Sequence, residues 1–179
     1  MSEGLRLVSE AAEFAAHRHS GMARKGRGNE PYVNHLAEVA NLLAAASEGK
    51  DAELVAAGWL HDTIEDTGTT EQELAATFGP RVAGLVVEVT DAMSLPKDQR
   101  RQRQVADAPK KSPGAKLIKI ADKVSNIRAR IRPQPSPEER DDLIDYLSFA
   151  EKVVAGCRGI NPTLDRTFDE AVKRARSAL

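Results

Sequence analysis

At 179 residues, with 41% hydrophobic residues and a net charge of -1, the chain has enough apolar material for one globular domain and is too short for two large ones. The near-neutral balance argues against bulk nucleic-acid binding, and no stretch approaches the roughly 20 consecutive apolar residues that a membrane span needs. Cys157 is the single cysteine, which excludes an internal disulfide and a cysteine-based zinc site and points to a reducing, cytoplasmic setting.

Apolar residues recur at three- and four-residue spacing, so the expected fold is all-α, a single helical domain over residues 1–179. A first helix is predicted from about Leu5 to His19, with Val8, Ala11, Ala12 and Ala15 on its inner stripe. A Gly/Arg/Lys-rich loop follows, Gly21 to Pro31. A second helix from about Asn34 turns Val39, Leu42 and Leu43 inward, and a third from about Ala52 carries Val55 and Trp59 before reaching His61. Thr70 and Glu73 form a predicted capping box for a fourth helix that Gly79 ends. An apolar segment, Val82 to Val89, precedes a basic stretch from Lys97. Pro113 opens a helix with Leu117, Ile118, Ala121 and Val124 inward, and further starts fall at Ser136-Pro137 and Asn161-Pro162. Acidic residues cluster from Glu48 to Glu73 and basic ones from Lys97 to Arg132, where a local basic wall suits a phosphorylated small molecule.

The stretch richest in chemistry is Leu60-His61-Asp62-Thr63-Ile64-Glu65-Asp66-Thr67. A histidine beside an aspartate offers an imidazole nitrogen and a carboxylate oxygen to one point, as a divalent metal requires. Glu65 and Asp66 lie four residues beyond His61 and Asp62, so on a helix they stack over them. His35, after Pro31-Tyr32, and Asp122, in the apolar run Leu117 to Ala121, complete a candidate ligand set of His35, His61, Asp62 and Asp122. An inward aspartate needs a partner, because burying an unpaired carboxylate is costly. A metal supplies one; a salt bridge to Lys119 or Lys123 is the competing account. Two imidazoles and two carboxylates suit Mn²⁺, Fe²⁺ or Zn²⁺ better than Ca²⁺. Only His17 and His19 remain, both on the first helix, which favours one metal over two.

Glu65 and Asp66 are the candidate catalytic acids, against the plainer reading of a solvated helix end. Arg24 and Lys25 read either as a solvated loop or as an Arg plane on a base with Lys at phosphate. Asn126, four residues after Asp122, shares its face and is placed to bind a ribose hydroxyl or to serve as a structural hydrogen bond. Lys97 to Arg103 reads equally as a substrate flap or a solvated helix.

The order of these motifs, His35 after Pro-Tyr, His-Asp-Thr-Ile-Glu-Asp-Thr, then Lys119-Ile120-Ala121-Asp122-Lys123 with Asn126 and Arg128 behind it, resembles the HD hydrolase domain of the RelA/SpoT family. It is most similar to the stand-alone small alarmone hydrolases, from about Ala11 to Leu164. The resemblance implies a helical HD bundle holding one Mn²⁺ and removing the 3′-pyrophosphate of ppGpp or pppGpp to give GDP or GTP. It implies metal ligation by His35, His61, Asp62 and Asp122, with Glu65 and Asp66 catalytic. Arg24 and Lys25 would lie along the base, Asn126 and Tyr146 near sugar and phosphates, and Lys97 on the phosphate side. Departures from the pattern are Met22 in place of a frequent Gln, Ser125 in place of His or Tyr, and Asp141 and Asp142 where a base is expected, with Arg140 as the compensating charge.

Two other functions are carried forward. One keeps the site and changes the substrate to another phosphorylated nucleotide such as NADPH. The other is a non-catalytic alarmone sensor, against which both retained acids count. The expected partner is a small nucleotide, with no nucleic acid or membrane, and exposed apolar positions on the last helices leave a homodimer open.

Overall fold

The structure is a computed structural model that describes residues 2–24 and 29–179, so Lys25 lies outside the described residues. It is α-helical, as expected. Among the described residues the one β-type pairing is an isolated bridge between Ala23 and Pro31. The chain divides into two compact units, Met1–Met93 and Ser94–Leu179.

The first unit contains α1 (Glu3–Arg18), α2 (Val33–Ala46), α3 (Ala52–Leu60), α4 (Thr63–Thr67), α5 (Glu71–Phe78) and α6 (Pro80–Val89). At its centre is α3, packed against α1, α2 and α6, with every residue from Leu54 to Gly58 buried. Its sequence AELVAAGWL has no polar face, which is the mark of a core helix. Asp51 caps it, accepting from the Leu54 N–H at 3.0 Å. The fully buried Leu36, Val39 and Leu43 of α2 and Val82 and Val86 of α6 lie on the helices packed against it. On α1 the buried positions are Ala11 and Ala15, with His19 one turn further on; Val8 and Ala12 sit half-buried at the edge, as does Trp59 on α3.

The capping box expected at α5 forms by halves. Thr70 accepts from the Glu73 N–H at 3.2 Å, but the Glu73 carboxylate is taken by Arg18 of α1, a stronger charged partner than a backbone N–H. The reciprocal box appears instead at Ser136 and Glu139.

In the second unit are α7 (Lys97–Asp107), a 3-10 turn at Ala108–Lys110, α8 (Pro113–Arg130), α9 (Pro137–Ala155) and α10 (Pro162–Arg176). Its core is α8 against α9 and α10, with Ile118, Ile120, Val124 and Ile127 of α8 and Leu143, Leu164 and Phe168 of its neighbours buried; Leu117 is only half-buried. The basic stretch forms α7, which buries no residue and ties Arg101 to Asp145 of α9 at 2.6 Å. None of the described helices is long and apolar enough to cross a membrane.

Candidate functional site

Within the first unit, α2 carries His35 in its first turn, three residues after Tyr32, while His61 is the C-cap of α3 and Asp62 the N-cap of α4. One ligand atom each from His35, His61 and Asp62 lies within 4.8 Å of the others. Both imidazoles are buried and Asp62 is largely so; Asp62 Oδ2 stands 3.1 Å from His61 Nε2 and 3.4 Å from His35 Nε2. The His35 and His61 rings meet edge to face with centroids 5.1 Å apart.

The hydrogen-bond partners behind these atoms decide what they offer. His61 Nδ1 is 2.8 Å from the Gly58 carbonyl, which only accepts, so Nδ1 carries the hydrogen and the Nε2 lone pair faces Asp62. His35 Nδ1 is 3.1 Å from Arg24 Nη2, which only donates, so in the neutral ring the hydrogen sits on Nε2. Arg24 is thus buried against His35 rather than solvated in its loop. Tyr32 donates its hydroxyl to Asp62 Oδ2 at 2.6 Å. Burial presses the Asp62 carboxyl upward, but the charge of His61 and the hydrogen bond with His35 outweigh it and hold the carboxyl well below the usual range. The His35 Nε2–H can donate to the carboxylate, but the His61 Nε2 lone pair faces it and calls for a proton or a cation between them; two nitrogens and an oxygen, largely buried, suit a divalent cation. The donor set fits a divalent metal.

The two acids part company. The turn from α3 into α4 stays close to helical, and the Asp66 N–H donates to the Asp62 carbonyl at 2.9 Å, so Asp66 stacks over Asp62 as expected. Burial, followed by the Asp62 charge, raises the Asp66 carboxyl above its ordinary value. The like charge that contributes is that of Asp62. Glu65 instead accepts the Asp91 backbone N–H from the segment after α6. Gly68, at φ 71°, ends α4 in the left-handed conformation that glycine adopts without strain, which keeps the acid-bearing helix to one turn.

Sequence reasoning missed Tyr32 and His19 as members of this site. Tyr32 stands in the Pro-Tyr pair, and His19 continues the four-residue spacing of Ala11 and Ala15, which marks it as facing inward.

The other candidates belong to the second unit. Asp122, on α8, is paired with Lys123 at 2.9 Å and receives the Asn126 amide at 2.5 Å. Tyr146 is buried, and its hydroxyl has no hydrogen-bond partner among the described residues. Burial raises its pKa, and the Arg130 guanidinium lies 3.8 Å over its ring. Arg130, not Arg140, offsets Asp142, with a 3.0 Å contact; Arg140 donates to the Leu179 carbonyl. Lys97 is exposed at the start of α7 and Ser125 is fully buried, while Met22, in the first unit, is exposed.

A family model described as the HD domain matches residues 11–145. The chain is 43% identical over 169 residues to the guanosine-3′,5′-bis(diphosphate) 3′-pyrophosphohydrolase MESH1 of Mus musculus, covering 94% of each chain. It is 42% identical over 172 residues to the enzyme of the same name from Homo sapiens, covering 96% of this chain and 93% of that one. A solved structure described as a metazoan ortholog of SpoT that hydrolyzes ppGpp superimposes with a TM-score of 0.85 at 38% identity, over 97% of both chains. Full-length likeness in sequence and in helical fold, with the His-His-Asp cluster at its centre, makes this chain a member of the HD domain family, in the group of the MESH1 hydrolases.

Proposed function

We propose that the chain hydrolyses ppGpp and pppGpp, releasing the 3′-pyrophosphate to give GDP or GTP, with one Mn²⁺ per chain. The observation that carries this reading is the His35, His61 and Asp62 cluster followed within one turn by Glu65 and Asp66, in a chain similar over its full length to enzymes named for that reaction.

In this reading His35, His61 and Asp62 hold the cation, and Asp122 joins them on the strength of its Lys-Ile-Ala-Asp-Lys motif alone. When bound, a divalent cation draws charge from phosphoryl oxygens and lowers the pKa of water. The acids divide the proton work. Glu65 accepts the Asp91 N–H, which orients its carboxylate, and in this reading it takes the proton of the attacking water. Asp66, with its raised pKa, supplies a proton to the ribose 3′ oxygen as the bond to phosphorus breaks. Arg24 and Lys25 take the base, Asn126 and Tyr146 the sugar and phosphates, and Lys97 the phosphate side, each by its place in the motif pattern.

The family match crosses both compact units, which supports reading them as one HD domain. A cytoplasmic site rests on the single, buried cysteine, and self-association on the exposed Ile144, Ile160 and Leu179. Incubating the purified chain with Mn²⁺ and ppGpp or NADPH tests the reaction. Pyrophosphate from ppGpp is the expected product. Phosphate from NADPH alone would move the reading to a nucleotide phosphatase, and binding of ppGpp without product would move it to a sensor.

A further inference from the structure

The side chain of His19 is completely buried, at the C-terminal cap of α1, yet neither the ligand set nor the acids include it. Its Nδ1 is 2.9 Å from the Ala15 carbonyl, so Nδ1 bears the hydrogen and the ring is pinned to its own helix. Its Nε2 has no hydrogen-bond partner among the described residues and stands 3.9 Å from Asp66 Oδ2. An apolar side chain would fill this position without leaving a buried nitrogen unsatisfied, so simple core filling does not account for a histidine here. Its flat face accounts for it better. The ring lies on Tyr32 with centroids 5.2 Å apart and planes only 12° from parallel. The Tyr32 ring meets His35 edge to face at 5.5 Å, and its hydroxyl reaches Asp62 Oδ2 at 2.6 Å. Backbone pairing of the Tyr32 N–H with the Met22 carbonyl at 2.9 Å fixes the main chain, but the ring's tilt depends on what lies against it.

We infer that His19 is a positioning residue for the metal centre: stacked on Tyr32, it holds the phenol whose hydroxyl orients Asp62. The inference rests on the metal site of the proposed function. Outer partners of a metal ligand typically change metal affinity by tenfold or more when removed, without touching the metal.

The test is a double-mutant cycle read by calorimetric Mn²⁺ titration of the metal-free full chain, with thermal melts alongside. Tyr32→Phe and His19→Ala each weaken Mn²⁺ binding by about tenfold, and the double variant binds no more weakly than the worse single one. His19→Phe, which keeps a flat ring against Tyr32, retains Mn²⁺ affinity within about twofold. Independent, multiplying losses in the double variant overturn the inference. So does a loss in His19→Phe equal to that in His19→Ala, or an unchanged affinity in Tyr32→Phe, a variant that removes a single oxygen atom and decides the matter even if His19→Ala fails to fold. The wild-type titration separates the two levels: no Mn²⁺ uptake by the wild type overturns the metal site and this inference with it, whereas wild-type uptake with unaltered variants overturns the inference alone.

Discussion

His61 donates its Nδ1 hydrogen to the carbonyl of Gly58, and the same glycine lies tight against α2. A Cβ at Gly58 would lie 2.5 Å from Leu43 Cδ1 and 3.3 Å from Ala40 Cα. The leucine tip can swing aside; the Ala40 backbone must move. Because α2 carries His35 and α3 delivers His61, any widening there separates two ligands. Gly58→Ala is expected to lower stability by about 1–2 kcal/mol, overpacking outweighing the helix propensity gained, and to weaken Mn²⁺ binding about tenfold. Urea melts and metal titration check both. A more stable variant with unaltered metal affinity would show that the helices have room to spare.

What the sequence disclosed of this site is what local spacing can carry. His61 and Asp62 are adjacent, and Asp66 follows Asp62 by one turn, so their company is legible without a fold. The all-helical architecture was legible for the same reason, from periodicity and from caps such as Asp51 and Ser136. Partners chosen by tertiary approach were not. Glu73 had two suitors, a backbone N–H three residues away and Arg18 on α1, and only the folded chain brings Arg18 within reach. Asp142 likewise finds Arg130 of α8 rather than nearby Arg140. His19 stands outside every local motif because its value lies in a stack with Tyr32, thirteen residues on.

Arg24 competes with the metal for His35. Its guanidinium can only donate, which obliges His35 Nδ1 to accept and places the ring hydrogen on Nε2, the nitrogen turned toward Asp62. Ligation through Nε2 needs the opposite tautomer, so Arg24 must leave His35 when the cation enters. Arg24→Ala therefore binds Mn²⁺ more tightly, by about tenfold if the lost bond was of ordinary charge-assisted strength, while its KM for ppGpp rises. Calorimetry and steady-state kinetics on one preparation read the two effects. Weaker Mn²⁺ binding in the variant would show instead that Arg24 supports the ligand.

Asp51 ties α3 to α6. Its carboxylate caps α3 at the Leu54 N–H and meets Arg81 of α6 at 2.6 Å, and the hydrogen bond from Arg81 lowers its pKa against the opposing push of burial. A depressed carboxyl contributes stability above its unfolded pKa and loses it as the pH falls through the folded one. Asp51→Ala is expected to cost about 1 kcal/mol near neutrality. The gap to wild type should then close on acidification below about pH 4. Chemical denaturation at a series of pH values tests this, and a gap that persists at the acid end would remove the charge from the explanation.

The two acids should separate in their pH behaviour. Glu65→Gln and Asp66→Asn each lower kcat by about 10²- to 10⁴-fold with Mn²⁺ occupancy unchanged, since neither is among the metal ligands proposed. Their limbs differ in sign. A base must be ionised, so turnover falls on the acid side as Glu65 takes up a proton. An acid must be protonated, so turnover falls on the alkaline side as Asp66 loses one, and burial with the Asp62 charge moves that limb upward from the ordinary aspartate range. The residual activity of Asp66→Asn should then lack the alkaline limb and keep the acid one, and Glu65→Gln should show the reverse. Profiles of kcat against pH for the three proteins decide it. If Asp66→Asn keeps its alkaline limb, another group donates the proton, and Asp66 is left to orient the water.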